Sequence, residues 1–302
     1  MSSQFTFENA GNSTLDIDDG SIYTVVAVNG KGMPALDVRA ENRFGRSGAT
    51  LRAVTIPPRR LTLSILITGT SSSNLETRAT ALLAHLAGSY GRETQREGVL
   101  RFTNDTGNQR YLNCLAVAGL DENRMQRVAT HSYLVPVTFF AAHGNWYDPS
   151  QQTSSGNIGP AGDLSFPYSY PIGFGLSQPS VSFSVTNSGS AETETLQWSV
   201  PGPSTAPQLH NVTVTRSVKF DSLIVPEGLT LVVRMGWQPD GIETFQAFLD
   251  DGAGGSTNVL GNLSSTSRRF WLDPGLNSMF ASQTNEDETT HTINWYNEFI
   301  GV

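Results

Sequence analysis

The sequence is short of cysteine, of charge and of long apolar runs, and each shortage excludes something. Its 302 residues include one cysteine, Cys114, so no intramolecular disulfide and no cysteine-rich metal cage can form. No window approaches the roughly 20 apolar residues needed to span a bilayer. The opening Met-Ser-Ser-Gln-Phe-Thr-Phe-Glu has no basic residue followed by an apolar run, and the expectation is a protein without a signal peptide, made in a cytoplasm, with no membrane partner. Charged residues are 15% of the chain, and 27 acidic side chains outnumber 19 basic ones. The resulting net charge of −8 argues against a general nucleic-acid binder, whose phosphate contacts need clustered cations.

Catalytic signatures are missing as well. His85, His131, His143, His210 and His291 are scattered with no metal-ligand spacing between any two. There is no Gly-x-Ser-x-Gly elbow, and Gly173-Phe174-Gly175 lacks the third glycine, the preceding strand and the following helix of a dinucleotide loop. Asp16-Ile17-Asp18-Asp19-Gly20 opens like a calcium loop, but Ala27 stands where the closing glutamate belongs. Asp250-Asp251-Gly252 reads as a hairpin tip, and Cys114 as a small buried hydrophobe. The expectation is no enzyme, no cofactor and no metal site.

What the chain does contain is 29 glycines with many Ser, Thr and Asn, which predicts short strands joined by tight turns and a mainly β fold. Leu61, Leu63, Ile65 and Ile67 alternate with Thr62, Ser64 and Leu66, placing four large apolar side chains on one face of a strand. A helix near 73–87 follows: Ser73 and Glu76 form a capping box, Leu75, Ala79, Leu82, Leu83 and Leu86 recur at helical spacing, and Gly88 ends it. Val99 to Phe102 and Arg110 to Val117 flank a turn and read as a hairpin. Val135, Val137 and Phe139 alternate in a last strand, until His143-Gly144-Asn145 breaks the pattern.

Residues 1–149 are therefore expected to form a β-sheet or split-barrel domain with one helix. The stretch 150–165, rich in Gln, Thr, Ser and Gly, reads as a linker. From 166 to 302, short strands about ten residues apart with turn signals between them predict a β-sandwich. Of five tryptophans, Trp198, Trp271 and Trp295 sit in strand-like alternation and are expected in the core. Trp146 and Trp237 are left as candidates for exposure.

Several short motifs run along the chain in a recognisable order. Ile56-Pro57-Pro58-Arg59-Arg60-Leu61-Thr62-Leu63 precedes the helix, followed by Arg110-Tyr111-Leu112-Asn113 and by Val137-Thr138-Phe139 leading to Trp146-Tyr147-Asp148. Phe166-Pro167-Tyr168, Thr186-Asn187-Ser188-Gly189-Ser190, Pro201-Gly202-Pro203, Leu272-Asp273-Pro274-Gly275-Leu276-Asn277 and Tyr296-Asn297-Glu298-Phe299-Ile300-Gly301-Val302 complete the series. Their order and spacing resemble the distal tail (Dit) proteins of long non-contractile-tailed phages.

The resemblance implies a structural virion protein at the tail tip. It would form a hexameric ring joining the tail tube protein to a tail-associated baseplate hub protein and to receptor-binding or fibre proteins. DNA would pass through the lumen without specific binding. It further implies that the first domain builds the ring and that a galectin-like second domain projects outward. Trp146 and Tyr147 are then expected to anchor the outgoing chain at the domain junction. The competing reading is a carbohydrate-binding adhesin or glycan-binding accessory module, with Trp237 as an exposed glycan contact.

Overall fold

The computed structural model describes residues 4–34, 36–42, 49–87, 97–119, 126–159, 179–238, 243–285 and 287–302; the side chains of Asn42, Val54, Trp237, Glu243 and Thr244 stand outside that description. Gly88, Phe166-Pro167-Tyr168 and Gly173-Phe174-Gly175 lie outside it too. The fold is mainly β, with α1 as its helix among the described residues, and it divides into two compact units, 1–149 with 299–302, and 150–298.

The first unit contains strands Gln4–Glu8 (β1), Thr14–Asp16 (β2), Tyr23–Asn29 (β3), Asp37–Asn42 (β4), Ala49–Thr55 (β5) and Arg59–Thr68 (β6), then helix Ser72–Ala87 (α1). Gly98–Thr103 (β7), Gln109–Ala118 (β8), Gln126–Ala129 (β9), Ser132–Ala141 (β10) and Trp146–Tyr147 (β11) follow. All but β4 and β5 belong to one sheet whose main path is β2-β1-β7-β8-β10-β6-β3. β10 pairs with β6 along its whole length, setting Val135 opposite Ile65, Val137 opposite Leu63 and Phe139 opposite Leu61, all fully buried. Each of these side chains contributes about 1.5–3 kcal/mol by leaving water.

Pro136 sits inside this central strand, where a missing N–H ordinarily breaks a ladder. On its other edge β10 pairs with β9 through Ser132, Tyr133 and Leu134, and with β8 only from Thr138 onward. The proline falls in the gap. There Gly119, at φ +96°, approaches so closely that a Cβ would lie 1.6 Å from the Pro136 carbonyl oxygen.

α1 buries Leu75, Ala79, Leu82 and Leu86 in the same core as Phe5, Phe7, Leu61 and Phe139. Its cap differs from the expected Ser73–Glu76 box. Ser71 Oγ accepts from the Asn74 N–H at 3.1 Å, while Asn74 Oδ1 accepts from the Thr70 N–H at 3.2 Å. The same reciprocal logic operates two residues upstream, with an asparagine as the returning acceptor. Three consecutive serines gave the sequence more than one possible cap.

The second unit contains Gln152–Ile158 (β12), Ser180–Asn187 (β13), Leu196–Pro201 (β14), Ser204–Thr205 (β15), Gln208–Asn211 (β16), Arg216–Lys219 (β17) and Ile224–Val225 (β18). Thr230–Trp237 (β19), Glu243–Asp250 (β20), Ser256–Asn258 (β21), Gly275–Ser282 (β22) and Thr289–Trp295 (β23) complete it. A six-stranded sheet, β12-β23-β14-β19-β20-β21, and a four-stranded sheet, β13-β22-β16-β17, share one core. Trp198, Val233 and Ile293 come from the larger sheet, Val185, Leu209 and Met279 from the smaller. This is a β-sandwich.

Two boundaries differ from the sequence reading. The stretch expected as linker holds β12, an edge strand running antiparallel to β23 from Gln152 opposite Trp295 to Ile158 opposite Thr289. Its Thr, Ser and Asn suit an edge with an exposed face, and Gly156 is required because a Cβ there would lie 2.5 Å from the Phe183 ring. Residues 160–165 lie outside the description. The second domain was expected to run to Val302, but the last four residues return to the first unit, where Phe299 and Val302 pack on its core.

Candidate functional site

Beyond the break at 143–145, Trp146 and Tyr147 re-enter the first sheet, Tyr147 opposite Tyr111 of β8. Trp146 is fully buried, its ring centroid 6.3 Å from that of Phe102. It is therefore not the exposed aromatic the sequence left open. The turn reset the phase of the alternation, so period-two counting could not carry across it. The Tyr147 hydroxyl donates to Asn113 Oδ1 at 2.6 Å, and Arg110 pairs with Asp148 at 2.6 Å while its guanidinium lies 3.8 Å from the Phe299 ring centroid. Trp237 ends β19 by its backbone; its side chain lies outside the described residues.

Arg59 holds more of the first unit than any residue singled out from the sequence. Its side chain is 2% exposed. Nε donates to the Gly144 carbonyl at 2.7 Å, and Nη1 to the carbonyls of Gly30 at 2.8 Å, Lys31 at 3.3 Å and Gly32 at 2.6 Å. Nη2 donates to the Ile300 carbonyl. No carboxylate pairs with it among the described residues, and burial pushes its pKa down to about 10. Five backbone acceptors replace a counterion. A signal for this was present: continuing the inward phase of Leu61, Leu63 and Ile65 back by two lands on Arg59.

β4 and β5 pair only with each other. The register sets Ala40 opposite Leu51, so Val38, Ala40 and Leu51 share one face, while Arg52 and Glu41 pair at 2.5 Å on the other. Val38 is 54% exposed and Leu51 60%, and Met33, Leu36 and Ile56 beside the hairpin are exposed too. A two-stranded ribbon is marginal in water by itself, and its apolar face has no cover within the described chain.

In the second unit a pocket of about 80 Å³ is lined by Glu194, Arg216, Gly236, Arg269, Phe270 and Trp271. Trp271, expected in the core, is instead only half-buried. Arg216 lies over the indole, Cζ 4.3 Å from the ring centroid. The reason is positional: Leu272 bridges to Thr193 and is fully buried, so its neighbour points the other way.

Among the described residues no group of three His, Cys, Asp or Glu side chains could hold a metal ion. Asp251 caps its own hairpin tip, accepting from the N–H groups of Ala253 and Gly255 at 2.8 Å, which hold its carboxyl below the ordinary range. Cys114 is buried, and desolvation pushes its thiol up. No described helix is long and apolar enough to cross a membrane.

The described residues form two compact β units. No protein-family model matches the sequence, and no curated protein matches it. Among solved structures, the chain is similar to the SPP1 Dit (gp 19.1) protein, a paradigm of the hub adsorption apparatus in phages infecting Gram-positive hosts: TM-score 0.62, 16% identity, 97% of this chain and 98% of that one. It is also similar to a chain of the phage P2 baseplate in its activated conformation with Ca, at TM-score 0.50 and 10% identity over 97% and 98% of the two chains. The same baseplate with Sr gives the same values. The fold is thus a Dit-type fold across both units.

Proposed function

We propose that this chain is a structural, non-catalytic distal tail protein of a phage virion, forming a ring at the tail tip. The observation that carries the reading is the extent of the fold likeness: it covers both units and nearly the whole length of both chains, not one common sandwich. The ordered motifs from Ile56 to Val302 support it independently.

In this reading the first unit assembles six copies into a ring, with the apolar face of the β4–β5 hairpin seated on the neighbouring copy. The second, galectin-like unit faces outward and takes receptor-binding or fibre proteins, while the ring joins the tail tube protein to a baseplate hub protein. Trp146 and Tyr147 anchor the chain where it leaves the first unit. DNA crosses the lumen without specific binding, in keeping with 27 acidic against 19 basic side chains.

Electron microscopy and mass measurement of the purified chain test this. A six-fold ring, or ring density at a tail tip that antibodies to the chain label, is the expected result. A monomer at all accessible concentrations, with no labelling of tail tips, would overturn it.

A further inference from the structure

The β4–β5 hairpin is mounted on a base built from four separate stretches of chain. Its described side chains are exposed except that of Thr50, and its two strands pair only with each other, so its direction is set where it joins the unit. The chain enters the hairpin through 30–36 and leaves it through 56–58. Arg59 directly follows the outgoing root and donates to the carbonyls of Gly30, Lys31 and Gly32 on the incoming one, which closes the base. Backbone packing tightens it further. A Cβ at Gly144 would lie 2.8 Å from the Pro57 carbonyl oxygen, and one at Gly30 2.3 Å from that of Arg60.

The fourth stretch is the returning segment 299–302, which meets the incoming root in three ways. Arg59 Nη2 donates to the Ile300 carbonyl, so the segment shares the guanidinium that holds the root. The Val302 N–H donates to the Lys31 carbonyl at 3.4 Å. A Cβ at Gly301 would lie 3.1 Å from both the Gly32 carbonyl carbon and the Met33 nitrogen, so this residue seats against the root as bare backbone. Phe299 and Val302 keep the segment in place by packing on the core of the first unit. The strands β6 and β10 are secured separately, by pairing with each other along their whole length. The segment can therefore leave its seat by a local opening that spares them.

We propose that the segment 299–302 is a latch on the hairpin base. Seated, it fixes the incoming root and holds the hairpin in the pose that docks on a neighbouring copy. Displaced, it frees that root, the hairpin frays, and a folded chain stays out of the ring. A two-stranded ribbon is marginal in water, so the loss of one anchored root is enough to loosen it. Residues 299–302 are synthesised after every strand of the sandwich, so ring entry waits for the second unit. The assembly half of this inference rests on the ring reading; the hairpin half does not.

Hydrogen exchange and sedimentation of the full chain test it against two variants: Gly301→Val, which crowds Gly32 and Met33, and a chain shortened after Glu298. Exchange is read at a concentration where the chain is monomeric. Amides of 30–33, 37–42 and 49–55 should exchange about fivefold or more faster, as the loss of one hydrogen bond predicts, while those of β6 and β10 stay protected. The concentration at which half the chain is in rings should rise by a similar factor. Selective loosening in either variant, with that loss of rings, is the expected result. Three results would each overturn the proposal: hairpin exchange unchanged in both variants, faster exchange that reaches β6 and β10 equally in both, or rings that form as in wild type from a loosened hairpin. A wild-type chain that forms no ring overturns the ring reading instead, and the exchange comparison still decides the latch.

Discussion

Arg59 and Gly144 stand 85 residues apart in sequence and are joined by a 2.7 Å hydrogen bond from the guanidinium Nε to the glycine carbonyl. The same guanidinium reaches the turn at Gly30–Gly32 and the Ile300 carbonyl. One side chain therefore ties an early turn, the break after β10 and the returning C-terminal residues to the start of β6.

Arg59→Met should cost the first unit about 3 kcal/mol or more, because it leaves several buried carbonyls without donors. Arg59→Lys should recover only part of this, since an ammonium has three donors where the guanidinium has five. Urea unfolding followed by tryptophan fluorescence measures both. Equal stability of wild type and Met variant would remove Arg59 from this role.

His291 predicts an acid sensitivity of the second unit. Its ring is fully buried, stacked 5.8 Å from Trp198, with neither nitrogen hydrogen-bonded among the described residues. Desolvation pushes its pKa down to about 4 from 6.5. The unfolded chain then binds a proton that the folded chain refuses, so stability is full above about pH 6.5 and falls as pH drops toward 4, by about 3 kcal/mol in all. The window from 6.5 to 5 is diagnostic, since few carboxylates titrate there. His291→Phe should flatten the slope in that window; an unchanged slope would contradict the assignment.

Replacing the apolar face of the hairpin should affect assembly more than folding. Val38→Asp with Leu51→Asp alters two exposed residues, so the melting midpoint should move little, while sedimentation should show fewer rings and more monomer. Rings that persist unchanged would place the subunit contact elsewhere.

Trp146→Ala should destabilise the first unit by about 3–5 kcal/mol, as expected of a fully buried indole. Tyr147→Phe keeps the packing and removes the 2.6 Å bond to Asn113, at a cost of about 1–2 kcal/mol. Calorimetry of the two variants should therefore rank them clearly, tryptophan first.

Much of the fold follows from local pattern. The alternation in β6 and β10 and the helical spacing of Leu75, Ala79, Leu82 and Leu86 appear in the structure on the faces the sequence assigns. Errors cluster where local rules are degenerate. Consecutive serines before α1 allowed a cap two residues away from the real one, and the polar composition of 152–158 fits an edge strand as well as a linker. The candidate pocket was missed because Trp271 adjoins a buried leucine and was counted as core.

By itself, then, the amino-acid sequence determined a mainly β protein of two units with a helix at Ser72–Ala87, because alternation and helical spacing are properties of neighbouring residues, and its single cysteine excluded an intramolecular disulfide. The tertiary structure alone decided that Trp146 is fully buried and Trp271 only partly so, and that the chain ends back in its first unit. It also decided that Arg59 meets an acceptor 241 residues away. Those outcomes depend on which strands pair and which carbonyls converge, and no local period encodes a partner at that distance.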